Sequence, residues 1–295
     1  MSTSPLFALA TEAVFGWPAR VPHPVEAIGA VIDCLDRRWN HGPAQRARGV
    51  AALAAIAGAG WATGRIVERL GPTAALAASS AALAQRSLHT HVHAVERALD
   101  EGDLPGARIA VAKVVGRDTA LLDSGGIARA AIESLAESFN DGVVAPAFWL
   151  WAGGPAATWA YKAINTADSM IGHRTPRHER FGWASARADD LLNLAPARLA
   201  GALIVTAGGG GWRVMLRDAR AHASPNAGWP EAAMAGALGL RLGGPVSYDG
   251  EPTNRPWFGE GRDLEGAADI ARALGVYRRA CALLWLLAGA SPWRR

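Results

Sequence analysis

An all-α fold is what this sequence predicts, on three observations. Few stretches alternate apolar and polar residues and β-branched clusters are rare, so strand signals are sparse. Apolar residues instead recur at helical spacing through most of the chain. Between the Gly and Pro punctuation lie uncharged, Ala- and Gly-rich runs of helical length: Gly49–Gly64, Leu70–Gln85, Gly142–Tyr161, Leu199–Trp212 and Ala280–Trp293.

Taken in order, Val25–Trp39 places Ile28, Val31, Ile32 and Leu35 on one face and starts after His23-Pro24, a good helix entry. Ala77–Leu99 continues helically to the turn Glu101–Gly106, and a second helix follows over Ala107–Val115. From Asp118 to Gly211 helical pattern alternates with Gly and Pro; Ala223–Gly261 is irregular; Asp263–Ala290 closes the chain as a helix. No repeat, low-complexity linker or composition shift marks a boundary, so residues 1–295 read as one domain.

Composition narrows the class. Of 295 residues, 50% are hydrophobic and 19% charged, against about 25% charged in an average soluble domain, while the mean hydropathy is only +0.08. Only Gly142–Tyr161 reaches the roughly 18 to 20 residues that cross a ~30 Å hydrocarbon core. Pro146, Gly153, Gly154 and Pro155 interrupt it, so it reads as a broken span or two half-helices. Hydropathy alone therefore leaves a membrane chain and a soluble helical one both open. The net charge of +4 is spread without basic runs, which excludes nucleic acid as a partner class. Cys34 and Cys281 form neither a disulfide framework nor a metal site, placing the core in a reducing compartment or in lipid. Met1–Gly16 lacks the charge and cleavage pattern of a signal peptide.

The most unusual helix is RAAIESLAESFNDG, Arg129–Gly142, where Arg129, Glu133, Glu137 and Asp141 fall on one stripe. Like charges at that spacing weaken a helix by roughly 0.2 to 0.5 kcal/mol per pair. Ile132, Leu135, Ala136, Phe139 and Val143 lie opposite, so the stripe is either a wet helix face or a set of hard oxygen ligands for Mg²⁺ with substrate phosphates. In YKAINTADSM, Lys162, Asn165, Thr166 and Ser169 share a face beside Asp168; the lysine is either a phosphate clamp or a snorkelling interface residue. Arg187, Asp189, Asp190 and Asn193 form a second polar group, read as a metal or phosphate locus or as a solvated helix start. Ser224–Gly228 turns into a helix near Pro230 and Glu231, whose N-terminus either receives an anion or is plainly capped. Dinucleotide, P-loop, zincin and hydrolase-elbow motifs are absent. His89 and His93 share a helix face but have no obvious third zinc ligand, and Gly208–Gly211 follows no strand, so it makes a weak phosphate loop.

An ordered set of motifs then carries a resemblance. HPVEAIG (His23–Gly29), GRDT (Gly116–Thr119), ESLAESFNDGVVAP (Glu133–Pro146), YKAINTADSMIGH (Tyr161–His173), FGWASARADDLLNLAPARL (Phe181–Leu199), HASPNAGWPEAAMAGALGLRLGG (His222–Gly244) and RPWFG (Arg255–Gly259) resemble the CobD/CbiB family of cobalamin biosynthesis over nearly the whole chain. Gly116, and Ala10-Thr11-Glu12 near a usual Asp, depart from its pattern.

The resemblance implies a polytopic integral membrane protein of the cell (inner) membrane, with short, partly broken Ala/Gly-rich helices as its multi-pass spans. It also implies an enzyme that joins adenosylcobyric acid, a corrinoid, to aminopropanol phosphate or aminopropanol through an amide bond. Making that bond from a carboxylate is uphill in water, so ATP and Mg²⁺ are expected. On chemical grounds Glu133, Glu137 and Asp141 are expected at the metal, and Glu137, Lys162, Asp168 and Asp190 in catalysis. His23, Arg187, His222, Asn226 and Glu231 are expected to bind substrate. Membrane lipid is an implied partner, nucleic acid is not, and contact with later cobalamin-assembly enzymes is left open. Two rivals stand beside this reading: a non-catalytic membrane relative that binds or senses, and a soluble metal-dependent hydrolase.

Overall fold

The computed structural model describes residues 4–18, 20–173, 175–248 and 250–290. The first three residues of Met1–Gly16 and the last three of the run Ala280–Trp293 lie outside the described residues. The chain is mostly helical: α1 Pro5–Phe15, α2 Pro24–Trp39, α3 Gln45–Arg69, α4 Pro72–Ala81, α5 Gln85–Asp100, α6 Leu104–Val111, α7 Ser124–Phe139, α8 Ala145–Ile171, α9 Trp183–Leu192, α10 Leu194–Gly208, α11 Trp212–Asp218, α12 Gly228–Leu238 and α13 Ala267–Ala290. A π-helical turn, Asn140–Val144, joins α7 to α8. The segment read as irregular also holds four strands of two or three residues, too short to show periodicity. They are β1 Leu242–Gly243, β2 Val246–Tyr248, β3 Glu251–Thr253 and β4 Trp257–Phe258, paired antiparallel as β1–β4 and β2–β3.

The chain divides into two compact units, each built from separated segments. Unit 1 takes Met1–Ala84, Asp141–Asn193 and Ala288–Arg295, and unit 2 takes Gln85–Asn140 and Leu194–Leu287. Because the chain leaves and re-enters each unit, no shift in composition along the sequence could mark the division. One crossing corrects the expected continuous helix Ala77–Leu99: α4 ends at Ala81 and α5 starts at Gln85. No Gly or Pro stands there; the break is tertiary, and the Ala84 N–H donates to the Gly142 carbonyl at 2.9 Å instead of continuing a helical ladder.

Unit 1 is organised around α3 on α8. Gly49, Gly60 and Gly64 lie where a Cβ would come 2.0 Å from the Phe181 carbonyl oxygen, 2.5 Å from that of Trp159 and 2.3 Å from the Ala156 Cα. Small residues here let two backbones touch, as in membrane helix pairs. Ile32, Ala52, Ile56, Ala163, Ala167, Ile171 and Phe181 fill the core beside this seam. The expected break in the long apolar run is present: Gly153 and Gly154 (φ 69°) leave helical geometry just before Pro155. The Glu68 carboxylate accepts from the freed Ala156 N–H at 3.4 Å, placing an acid at the start of the second half-helix.

In unit 2, α7 is buried along most of its length, Glu133 and Ser134 included, while Glu137 is exposed, so its stripe is buried at Glu133 and open to solvent one turn later. The tetraglycine serves packing: a Cβ on Gly211 (φ 102°) would lie 2.6 Å from the Ala237 nitrogen, so the turn after α10 rests directly on α12.

Two helices, α3 and α13, are long and apolar enough to cross a membrane, and α9 with α10, bent by 51°, form a third candidate as one broken span. Only 22% of the apolar window of α3 is buried within the protein. Its outward face is therefore largely apolar.

Candidate functional site

The motifs that carry the resemblance fold into two polar clusters, one in each unit. In unit 1 the second half-helix of α8 presents Tyr161, Lys162, Asn165 and Asp168, while the π-helical turn supplies Asp141 and α9 supplies Asp189 with Asn193 following. Asn165 is the hub: its amide donates to Asp141 Oδ2 and to Asp189 Oδ1, each at 3.2 Å, and its Oδ1 lies 3.5 Å from Lys162 Nζ. Asn193 donates to Asp189 Oδ2 at 3.0 Å and accepts from the Tyr161 hydroxyl at 3.1 Å. A π-helical turn widens the backbone by one residue and recurs at functional sites; here it brings Asp141 to this hub. Burial draws Lys162 below its ordinary pKa, opposed by Asp141 and Asp189. Burial, then the Asp141 charge, pushes the Asp168 carboxyl up to about 6.

In unit 2 the central group is Glu133, 2% exposed, with Glu231, 1% exposed. Glu133 accepts from Arg117 and from the Gly243 N–H at 2.6 Å, and Arg255 Nη1 stands 3.7 Å away. Arg255 Nη2 donates to both oxygens of Glu231, at 3.3 and 3.4 Å, and lies 2.6 Å from His222 Nε2. That last contact needs a neutral imidazole accepting at Nε2. Burial and the Arg255 charge hold His222 down to about 4, in keeping with it. Burial, with Glu133 and Glu137 nearby, raises Glu231 well above its ordinary value against the pull of Arg255 and Arg117. Three carboxyl groups thus face two guanidiniums, and that surplus of negative charge adds to burial in raising Glu231. Such a cluster is costly: each ion taken from water loses several kcal/mol, roughly recovered by good pairing. Perturbed groups gathered in this way mark candidate functional sites.

The expected residues divide accordingly. Asp141, Lys162 and Asp168 come together in unit 1, and Glu133, Glu137, His222 and Glu231 in unit 2. His23 caps α2, accepting from the Val25 N–H at 3.2 Å while Glu26 accepts from the His23 N–H. Arg187 pairs with Asp190 at 3.8 Å with most of its side chain in the open, a surface pair of small energetic weight. Asn226 accepts from Arg198 at 2.8 Å, and Ser224 Oγ accepts from the N–H groups of Asn226 and Ala227, so the turn before α12 is satisfied by its own side chains.

As a cation site the two clusters differ. The oxygens of Glu133 are committed to Arg117, Gly243 and Arg255, which fits an anchoring carboxylate better than a metal ligand. Asp141 and Asp189, held on one amide, are hard donors suited to Mg²⁺ that keeps phosphate oxygens in its shell. Among the described residues no group of three or more His, Cys, Asp or Glu side chains is placed to hold a metal ion alone. Sequence reasoning passed over Arg117 and Arg255. Both sit in short motifs, GRDT and RPWFG, and the signal for them was the need of an acid on a buried helix for a cationic partner.

Comparison with known proteins agrees with the motif pattern. The family model described as CobD/Cbib protein matches residues 5–277. A "Cobalamin biosynthesis protein CobD" of Rhodobacter capsulatus is 49% identical, the match covering 96% of this chain and 94% of the relative. Proteins of the same name from a Sinorhizobium species and from Geobacter metallireducens are 46% and 43% identical, with 94% and 96% of this chain covered and 94% of each relative. No solved structure matches.

Proposed function

Since the chain belongs to the CobD/CbiB family of cobalamin biosynthesis, we propose that it is the ligase that condenses adenosylcobyric acid with aminopropanol phosphate, or with aminopropanol, at the expense of ATP. The observation that carries the reading is the convergence of GRDT, ESLAESF, HASPNAGWPE and RPWFG on one buried network, Arg117–Glu133–Arg255–Glu231–His222. A protein needing only a stable core has little use for five ionisable groups there.

In the proposed reaction the corrinoid carboxylate attacks the terminal phosphorus of ATP, ADP leaves, and an acyl phosphate forms. The amine then attacks its carbonyl carbon, inorganic phosphate departs with the C–O bond electrons, and the amine proton passes to a base. Asp141 and Asp189 would hold Mg²⁺, which neutralises phosphate charge when bound. Lys162 supplies positive charge for the phosphoryl oxygens. Asp168, with its carboxyl at about 6, is matched to accept a proton near neutrality. The unit 2 network binds polar substrate groups: Glu231 and His222 both accept from Arg255, and Asn226 is fixed in the same motif.

The same reading makes the protein a multi-pass resident of the cell membrane, with α3, α13 and the bent pair α9–α10 as spans. It is supported by their length and by the outward apolar face of α3. The deciding experiment supplies the purified protein with adenosylcobyric acid, aminopropanol phosphate, ATP and Mg²⁺ and follows amide product with ADP. Binding of substrates with neither amide nor ATP turnover would favour a non-catalytic relative, and recovery in the soluble fraction without detergent would sink the membrane assignment.

A further inference from the structure

The fourth member of the α7 stripe is left without a role by the network above. The Arg129 side chain forms no hydrogen bond and no ion pair among the described residues, and its Nε is buried with no acceptor. Its guanidinium carbon lies 5.0 Å from the centre of the Trp257 ring, and that of Arg241 lies 4.2 Å from the same ring. Arg241 has an acid, Asp263, at 3.1 Å; Arg129 has none. The backbone is shaped to hold the indole: Gly244 sits at φ 79°, and a Cβ there would come 2.3 Å from Trp257 Cζ2. Its neighbour Gly243 donates its N–H to Glu133, one helical turn from Arg129 on α7. An arginine is strongly suited to oxyanions through its planar fork, and a buried donor lacking an acceptor is costly enough that native structures seldom keep one.

We propose that Arg129, braced on Trp257 with Arg241 beside it, is a binding subsite for a phosphate group, which supplies the acceptor the protein does not. The proposal rests on the ligase reading for the choice of ligand. Two sources present that chemistry in the reaction, the phosphate monoester of aminopropanol phosphate and the terminal phosphates of ATP. The indole braces the guanidinium, and with Asp263 set against Arg241 the pair of arginines keeps one positive charge in excess.

The test is calorimetric titration of the full-length protein in detergent with aminopropanol phosphate, with unphosphorylated aminopropanol, and with a non-hydrolysable ATP analogue, for wild type, Arg129→Gln and Arg129→Lys. Loss of a charge-assisted contact should weaken the phosphate-bearing ligand by about 10- to 100-fold in Arg129→Gln, with aminopropanol itself unaffected. Arg129→Lys should fall between, and it carries the test if the Gln variant does not fold in a helical melt. A loss confined to aminopropanol phosphate assigns the subsite to the amine substrate; a loss confined to the nucleotide analogue assigns it to ATP. Unchanged affinity for both phosphate ligands in the Arg129 variants overturns the proposal. Turnover measured in the same preparations separates the two ideas: amide formation with Arg129-indifferent binding refutes the subsite alone, and Arg129-dependent phosphate binding without amide formation refutes the ligase alone.

Discussion

Replacing Arg255 by Met is the sharpest probe of the buried network. The guanidinium touches both oxygens of Glu231 at 3.3 and 3.4 Å, stands 3.7 Å from Glu133 and lies 2.6 Å from His222. Without it Glu133 keeps Arg117 and the Gly243 N–H, but among the described residues Glu231 keeps only the His222 imidazole, 3.6 Å away. Removing one partner from a buried ion pair costs about 3 to 5 kcal/mol, and a chain of this size loses about 2 to 4 °C of melting temperature per kcal/mol, so a drop of about 6 to 20 °C is expected. The loss should depend on pH. A carboxyl raised in the folded state keeps a proton that the unfolded chain has already released, so its ionisation costs stability as pH rises from the ordinary value of 4.5 through the folded one. Losing Arg255 raises the folded value further, so the deficit of Arg255→Met against wild type should widen as pH rises above 4.5. Adding Glu231→Gln removes the carboxyl that has lost its guanidinium and should recover at least about 1 kcal/mol of the loss at the alkaline end of the range. Thermal melts in detergent over that range decide the matter. A melting temperature within about 2 °C of wild type at every pH, or losses that simply add in the double variant, would refute the account of the network.

Three further outcomes follow from the geometry. With Asp168 as proton acceptor, the acidic limb of kcat/KM should bend near 6, and Asp168→Asn should abolish that limb along with most turnover. An imidazole held at about 4 when folded and 6.5 when unfolded is neutral only in the native protein; stability should therefore fall as pH drops from 6.5 toward 4, by on the order of 3 kcal/mol, and His222→Gln should flatten that slope in melts. On the α3–α8 seam, Gly64→Ala sets a methyl 2.3 Å from the Ala156 Cα and should cost about 1 to 3 kcal/mol, read as a lower melting temperature, whereas alanine at Gly58, which has no neighbour within 4 Å, should be nearly silent.

The helical class was legible because period and punctuation are local properties. Gly153, Gly154 and Pro155 announced the break in α8, and His23-Pro24 announced the start of α2; both depend on a few adjacent residues. The gap between α4 and α5 was not legible, since the Ala84 N–H leaves its helix for a carbonyl supplied by Gly142, far along the chain. The site was half legible for the same reason. Glu133, Lys162, Asp168 and Glu231 stand out as polar residues within apolar helices, and all are found in the clusters. Their partners do not stand out: Arg117 and Arg255 lie in loops, where an arginine is ordinary, and Asn165 becomes a hub only when α9 and the π-helical turn reach it. His23 and Arg187 also have local partners: His23 caps α2 while lying close enough to Lys162 to feel its charge, and Arg187 makes an exposed pair, neither of which their motifs announce.

The acidic stripe of α7 offered a choice between water and a cation, and the protein's own cations occupy much of the second position. A carboxylate buried like Glu133 cannot remain charged unless the cost is offset by close donors, and two arginines with a backbone N–H provide them. Burial, joined by the negative charge of Glu133 and Glu137, raises Glu231 above its ordinary value. A ligand that carries charge to this network would change the proton affinity of Glu231, and binding measured at two pH values reads that change.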